Sequence, residues 1–180
     1  MIPSDVDLWV FGYGSLMWRP GFEAVEQAPA SIEGYHRALC IESVRHRGTP
    51  ERPGLVLGLD HGGSCQGVAF RVEAPRVTDT LSYLRERELV THVYVERMLP
   101  VSLADGRTVE AVTYVVDCRH PQYVGLLTPE ETLKRVIGAV GAAGPNPDYV
   151  LNTARELERL GVVDPTLAWL ASALTVSTDE

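Results

Sequence analysis

The chain has 180 residues, of which 45% are hydrophobic and 22% charged, ordinary values for a folded protein that exclude global disorder. That length suits one compact domain, expected over residues 1–174, with a disordered tail at 175–180. A formal net charge of −8 repels phosphate backbones and anionic lipid, which argues against nucleic acid or a membrane surface as the main partner.

The N-terminal stretch MIPSDVDLWVFGYGS lacks a basic segment followed by a long apolar run, so no signal peptide is expected. No later stretch approaches the roughly 18 apolar residues that would span a bilayer. Residues 8–11 (LWVF) read as a short buried strand ending at Gly12. Strand-like segments follow at 33–43, 54–60 and 64–73, the last two separated by Asp60-His61-Gly62-Gly63, which reads as a hairpin turn. Between Arg45 and Pro53 (RHRGTPERP) glycine, prolines and arginines predict an irregular surface loop. A helix is predicted from about Pro75 to Val90. Two more strands, 93–103 and 108–117, flank the tight-turn dipeptide Asp105-Gly106.

The remaining helices come late. Thr128-Pro129-Glu130-Glu131 carries a capping-box pattern, followed by Leu133, Val136, Ile137 and Val140 at helical spacing. Another helix begins near Asn146-Pro147-Asp148 and stops at Gly161, with Val150, Ala154 and Leu157 on one face. A short last one opens at Asp164-Pro165. Strands, one helix, a hairpin and then terminal helices make an α+β order, not the alternation of a doubly wound sheet.

Two places invite chemistry. The first is Gly12-Tyr13-Gly14-Ser15-Leu16, where glycines let main-chain N–H groups converge on a carboxylate or an oxyanion; a plain turn leaving a core strand is the alternative. A dinucleotide fingerprint fails because Met17 stands where glycine is required, and a nucleophile elbow fails because Tyr13 and Met17 flank Ser15 at the glycine positions. The second is Glu88. Val77, Leu81, Leu84 and Glu88 fall on one helical stripe, so an apolar face ends in a carboxylate. Burial there would raise its pKa towards neutrality, as a proton-transfer base requires; fraying of the helix into water, or an arginine pair, is the alternative. Glu86 lies on another face, so the two do not form a dyad.

Cys40, Cys65 and Cys118 are far apart and form no Cys-x-x-Cys pair, which fits small core residues in a reducing compartment, hence a soluble cytoplasmic protein. His36, His46, His61, His92 and His120 are scattered, with no pair at metal-ligand spacing on a helix. His46 between Arg45 and Arg47 is either an anion contact or a solvated basic loop. Tyr149, at a helix start, reads as half-buried packing whose hydroxyl reaches towards a pocket.

From VFGYGSLMW (Val10 to Trp18) onward the sequence resembles the ChaC-type γ-glutamylcyclotransferases. GYHRALC (34–40), RHRGTPERPGLVLGL (45–59), SCQGVAFRV (64–72), YLRERELV (83–90), HPQY (120–123) and GPNPDYVLNT (144–153) continue the resemblance in order, over roughly residues 8–170. It implies a small mixed β-barrel with packed helices, no metal, no cofactor, and glutathione cleaved to 5-oxoproline and Cys-Gly. It also implies that Tyr13, Gly14, Ser15 and Leu16 bind the glutamyl moiety, that Glu88 is the catalytic residue, and that Tyr149 contacts substrate. Arg45 and Arg47 are further candidates for a substrate carboxylate. Some members follow the glutamate with Gly-Gly-Tyr; here Leu89-Val90-Thr91-His92-Val93 precede Tyr94, the residue in that tyrosine's place. A non-catalytic binder of γ-glutamyl ligands, or a cyclotransferase for another γ-glutamyl peptide or amine, is the alternative reading.

Overall fold

The apolar run LWVF forms strand β1 (Leu8–Gly12), in which Leu8, Val10 and Phe11 are buried. The structure, a computed structural model, describes residues 5–177. After β1 come two long strands, β2 (Glu26–Ser43) and β3 (Gly54–Val72). Helix α1 (Val77–Glu88) follows a 3₁₀ turn over Ala74–Arg76. Then come β4 (Tyr94–Leu103), β5 (Thr108–Val116), α2 (Pro129–Val136), a small ribbon of β6 (Val140–Gly141) and β7 (Gly144–Pro145), α3 (Asn146–Arg159) and α4 (Pro165–Ser177).

The first five strands close into a barrel in the order β1-β3-β2-β4-β5. It is mixed because β1 runs antiparallel to β3, from Leu8↔Val72 to Gly12↔Val68, but parallel to β5 at Trp9↔Ala111 and Val10↔Val112. Strands β4 and β5 form the expected hairpin around Asp105-Gly106, in register from Tyr94↔Val116 to Ser102↔Thr108. From Ala111 to Val116 every residue of β5 is buried, the pattern of a strand covered on both faces. The two hydroxyls in that run are both paired: Thr113 Oγ1 donates to Phe11 O at 3.1 Å and Tyr114 Oη to Glu96 Oε2 at 3.1 Å.

Expectation and structure part at Asp60-His61-Gly62-Gly63. The chain does not reverse there; β3 continues through it. Gly62 and Gly63 take φ of 98° and 70°, left-handed values that bend a strand without ending it, and His36 Nδ1 donates across to Gly62 O at 2.9 Å. Glycines that mark a turn in sequence here mark a bend.

The described chain resolves into two compact units, the first reaching to Arg37 and resuming over Leu59–His120, the second taking Ala38–Gly58 and the residues from Pro121 onward. The second unit holds α2, α3 and α4. Helix α2 starts with the expected capping box: Thr128 Oγ1 accepts from Glu131 N at 3.1 Å and Glu131 Oε2 accepts from Thr128 N at 2.9 Å. The stripe expected beyond it is corrected, because Ile137 is already extended (φ −61°, ψ 124°) and Val140 lies in β6; both are exposed. The buried positions of α2 are Thr132 and Val136. Helix α3 buries Val150 and Leu157 as expected and ends at Arg159, with Gly161 (φ 70°) just past its cap and its N–H donating to Glu158 O. Asp164 Oδ1 accepts from Leu167 N and opens α4, which continues through Ser177. Residues 175–177 of the expected tail are therefore helical, and 178–180 lie outside the described residues.

Candidate active site

Strand β1 delivers the chain to the glycine turn. Past Gly12, residues Ser15–Met17 form one 3₁₀ turn closed by Met17 N to Gly14 O at 2.9 Å, with Leu16 and Met17 buried. Such a turn leaves the amides of Ser15 and Leu16 without an acceptor inside it. The glycines serve differently from the sequence expectation. Gly14 has φ −133° and neither Gly12 nor Gly14 is left-handed. Space is tight at Gly12: a Cβ there would lie 3.0 Å from Leu16 Cβ, so the turn would have to give by a few tenths of an ångström. Tyr13 is buried, and its hydroxyl donates to Tyr114 O at 3.0 Å.

Glu88 is the last residue of α1, below Val77, Leu81 and Leu84, all buried. The helix persists to that point, so the carboxylate is carried into the protein, its side chain only 19% exposed. Burial raises its pKa, and Arg87, whose Nε lies 3.4 Å from Glu88 Oε1, opposes the rise without cancelling it. The two alternatives weighed for this residue are thus both partly present, and desolvation prevails.

Arg87 also joins the helix to the turn. Its guanidinium donates to Ser15 Oγ at 2.8 Å, to Arg19 O at 2.7 Å and to Tyr83 Oη at 2.9 Å. One cation therefore touches the Glu88 carboxylate and the serine of the turn. A second tie runs through Tyr114, whose hydroxyl donates to Glu96 Oε2 at 3.1 Å. Glu96 in turn receives a two-point contact from Arg85 of α1, at 2.9 and 2.8 Å. Burial first, then the nearby Glu96 and Glu88 carboxylates, push the Tyr114 phenol far above its ordinary range, so it stays protonated and donates. Tyr94 opens β4 opposite Val116, half-buried. The turn before it contains His92 at φ 58°.

Arg45, Arg47 and Tyr149 belong to the second unit. Arg47 stacks over the Tyr149 ring at 5.6 Å and donates to Pro145 O at 3.2 Å. The Tyr149 hydroxyl accepts from Leu57 N at 3.0 Å. Arg45 is exposed, and its carbonyl accepts from Ala142 N. Among the described residues no group of three or more His, Cys, Asp or Glu is placed to hold a metal ion.

A family model described as ChaC-like protein matches residues 8–176. The chain belongs to the ChaC-like family. Similar to it is the glutathione-specific gamma-glutamylcyclotransferase of Escherichia coli (strain K12), 36% identical over 165 residues, or 92% of this chain and 71% of that protein. The human glutathione-specific gamma-glutamylcyclotransferase 1 is 33% identical over 86% of this chain and 71% of its own. The fold matches the crystal structure of a gamma-glutamyl cyclotransferase specific to glutathione from yeast, with a TM-score of 0.83 and 22% identity over 96% of this chain and 99% of that one.

In this ChaC-like chain, sequence reasoning placed the turn and Glu88 but missed the residues that hold them. Arg87 lies off the apolar stripe of α1, and nothing local marks it as a partner of the turn. Glu96 and Tyr114, cross-strand partners in β4 and β5, carry no local signal that separates them from other strand residues. Arg37, which donates from Nε to Tyr13 O at 2.6 Å, sits in the GYHRALC motif and was legible only as part of the resemblance.

Proposed function

We propose that this protein cleaves glutathione by cyclising its glutamyl end. The free α-amino nitrogen attacks the γ-carbonyl carbon, a C–N bond closes the five-membered ring of 5-oxoproline, and the amide bond to Cys-Gly breaks. The protons lost by the attacking nitrogen equal those gained by the departing amine, so no water is consumed. What the protein must supply is the folded-back geometry, a carrier for protons and donors for the developing oxyanion.

The observation that carries this reading is Glu88, a carboxylate at the end of an apolar helical stripe, largely buried and joined through Arg87 to Ser15 of the glycine turn. A base with a raised pKa accepts the ammonium proton and still releases it to the leaving amine. The turn over Tyr13, Gly14, Ser15 and Leu16 takes the glutamyl carboxylate or the oxyanion. Tyr94, Arg45, Arg47 and Tyr149 are proposed as substrate contacts from the sequence. Alanine at Arg45 and at Arg47 is expected to raise KM for glutathione, and an unchanged KM in both variants removes them from the assignment. Relatives named glutathione-specific gamma-glutamylcyclotransferase support the substrate. Three free cysteines support a reducing, cytoplasmic setting.

The test is to incubate the protein with glutathione and, separately, with γ-glutamyl-alanine, and to quantify 5-oxoproline and released amine by mass spectrometry. Glutathione turnover that falls about 10²–10⁴-fold in Glu88→Gln supports reaction and base together. Turnover of γ-glutamyl-alanine alone keeps the chemistry and rejects the substrate. No product from either, in a folded protein, leaves the non-catalytic binder.

A further inference from the structure

The geometry points to Arg37 as the positioning residue that aims and polarises the Gly14 amide of the glycine turn. The inference rests on the proposed role of that turn in holding the glutamyl group. From half-buried β2, Arg37 spans two main-chain carbonyls with its fork, donating from Nε to Tyr13 O at 2.6 Å and from its terminal nitrogen to Gln66 O on β3. The first of these carbonyls belongs to the peptide that joins Tyr13 to Gly14. A trans peptide is planar, with C=O and N–H on opposite edges, and no described peptide is cis. Holding the Tyr13 carbonyl therefore fixes the direction of the Gly14 N–H.

Sterics alone do not secure that direction. With no Cβ at position 14, half-turn rotation of the 13–14 peptide meets less resistance than at any other residue type. Other restraints on the turn act on either side of this peptide plane: Tyr13 is anchored by its hydroxyl to Tyr114 O, Gly14 O accepts from Met17 N, and Ser15 Oγ accepts from Arg87. Arg37 acts on the plane itself. A charged donor on the carbonyl also draws electron density from the amide nitrogen, which makes its N–H a stronger donor to an anion. Lysine would keep the charge, but as a point donor it cannot reproduce the two-carbonyl fork.

The experiment compares wild type, Arg37→Lys and Arg37→Met, each normalised to folded protein, by glutathione kinetics and by the ¹⁵N–¹H spectrum. Arg37→Met is expected to lower kcat/KM tenfold or more, with Arg37→Lys in between. A rise in KM at constant kcat assigns the Gly14 amide to the ground-state carboxylate; a fall in kcat at constant KM assigns it to the oxyanion. The Gly14 amide resonance is expected to move more than that of any other residue of the turn. A merely structural role would lower Tm yet leave kcat, KM and the Gly14 resonance per folded molecule in place, and that result overturns the proposal. Should wild type release no 5-oxoproline, the functional reading fails, and the Gly14 resonance still decides whether Arg37 governs the peptide. If Arg37→Met does not fold, the same readouts on Arg37→Lys decide it.

Discussion

Burial disfavours the charged form of Glu88, and this bears on stability as well as on its proposed role as a base. Because its folded pKa is raised above the unfolded value by burial, the folded state binds that proton more tightly than the unfolded chain. Its contribution is therefore most favourable below the ordinary glutamate range and is lost as pH rises through the folded pKa. Glu88→Gln removes the cost of burying an ionised group. The expected outcome is a Tm difference, variant minus wild type, that grows as pH rises from the ordinary glutamate range and then levels off. The pH at which that rise levels off should coincide with the acid limb of wild-type kcat/KM, since both report the folded pKa of Glu88 and the proposed mechanism uses its ionised form. Differential scanning calorimetry beside a pH–rate profile checks both curves. His92 poses a different question, since its φ of 58° costs about 1–2 kcal/mol for most residues with a Cβ. His92→Gly is expected to keep stability within about 0.5 kcal/mol, relief of strain offsetting a more flexible unfolded chain. His92→Val is expected to lose about 1–2 kcal/mol or more in urea unfolding, because β-branched residues fit left-handed backbone worst.

At the scale of elements, the ends of helices were more legible than the paths of strands. The capping box at Thr128, the stop at Gly161 and the start at Asp164 all act within four residues, and short-range chemistry leaves its mark in short sequence. Removing the Thr128 hydroxyl by Thr128→Ala is expected to cost about 1 kcal/mol in chemical denaturation. Strand continuity depends on partners distant in sequence, so Gly62-Gly63 looked like a reversal when it is a bend in β3. The stripe through Ile137 and Val140 failed for a similar reason: helical spacing continues on paper after the backbone has left the helix. Asn146 was read only as part of a helix start, yet it is fully buried and serves as a strand partner. Its Oδ1 accepts from Leu55 N and its Nδ2 donates to Leu55 O, both at 2.8 Å. Asn146→Ala would strand both groups and is expected to cost on the order of 3 kcal/mol.

At the scale of the whole molecule, seven carboxylates among the described residues are displaced from their ordinary pKa, and not all in one direction. Asp7, Glu26, Glu96, Asp105, Asp117 and Glu131 sit below their ordinary pKa, held first by hydrogen bonds from arginines or main-chain N–H groups. Their stabilisation is present above the ordinary carboxylate range and is lost as pH falls through the depressed folded values, below about pH 4. Glu88 runs the other way. Acid unfolding followed by circular dichroism is expected to begin only below that range, and to be eased by salt where exposed pairs such as Arg71–Asp7 dominate. The α+β order and the place of Glu88 on an apolar stripe were readable in the sequence because both rest on periodic burial; the mixed barrel and the role of Glu88 came with the family resemblance. The ties that hold the site were not readable, because Arg87–Ser15, Arg37–Tyr13 and Tyr114–Glu96 join residues whose separation in sequence carries no pattern.

The paired amide of Asn146 also bears on how the protein ages. Asparagine commonly deamidates when the main-chain nitrogen of the next residue attacks the side-chain carbonyl and closes a succinimide. Here the next residue is Pro147, whose nitrogen carries no hydrogen and cannot close that ring. A carboxylate at position 146 would accept from Leu55 N but could not donate to Leu55 O, so deamidation would undo half of the pairing. Pro147, chosen on other grounds as a good first-turn residue, also protects that amide from time.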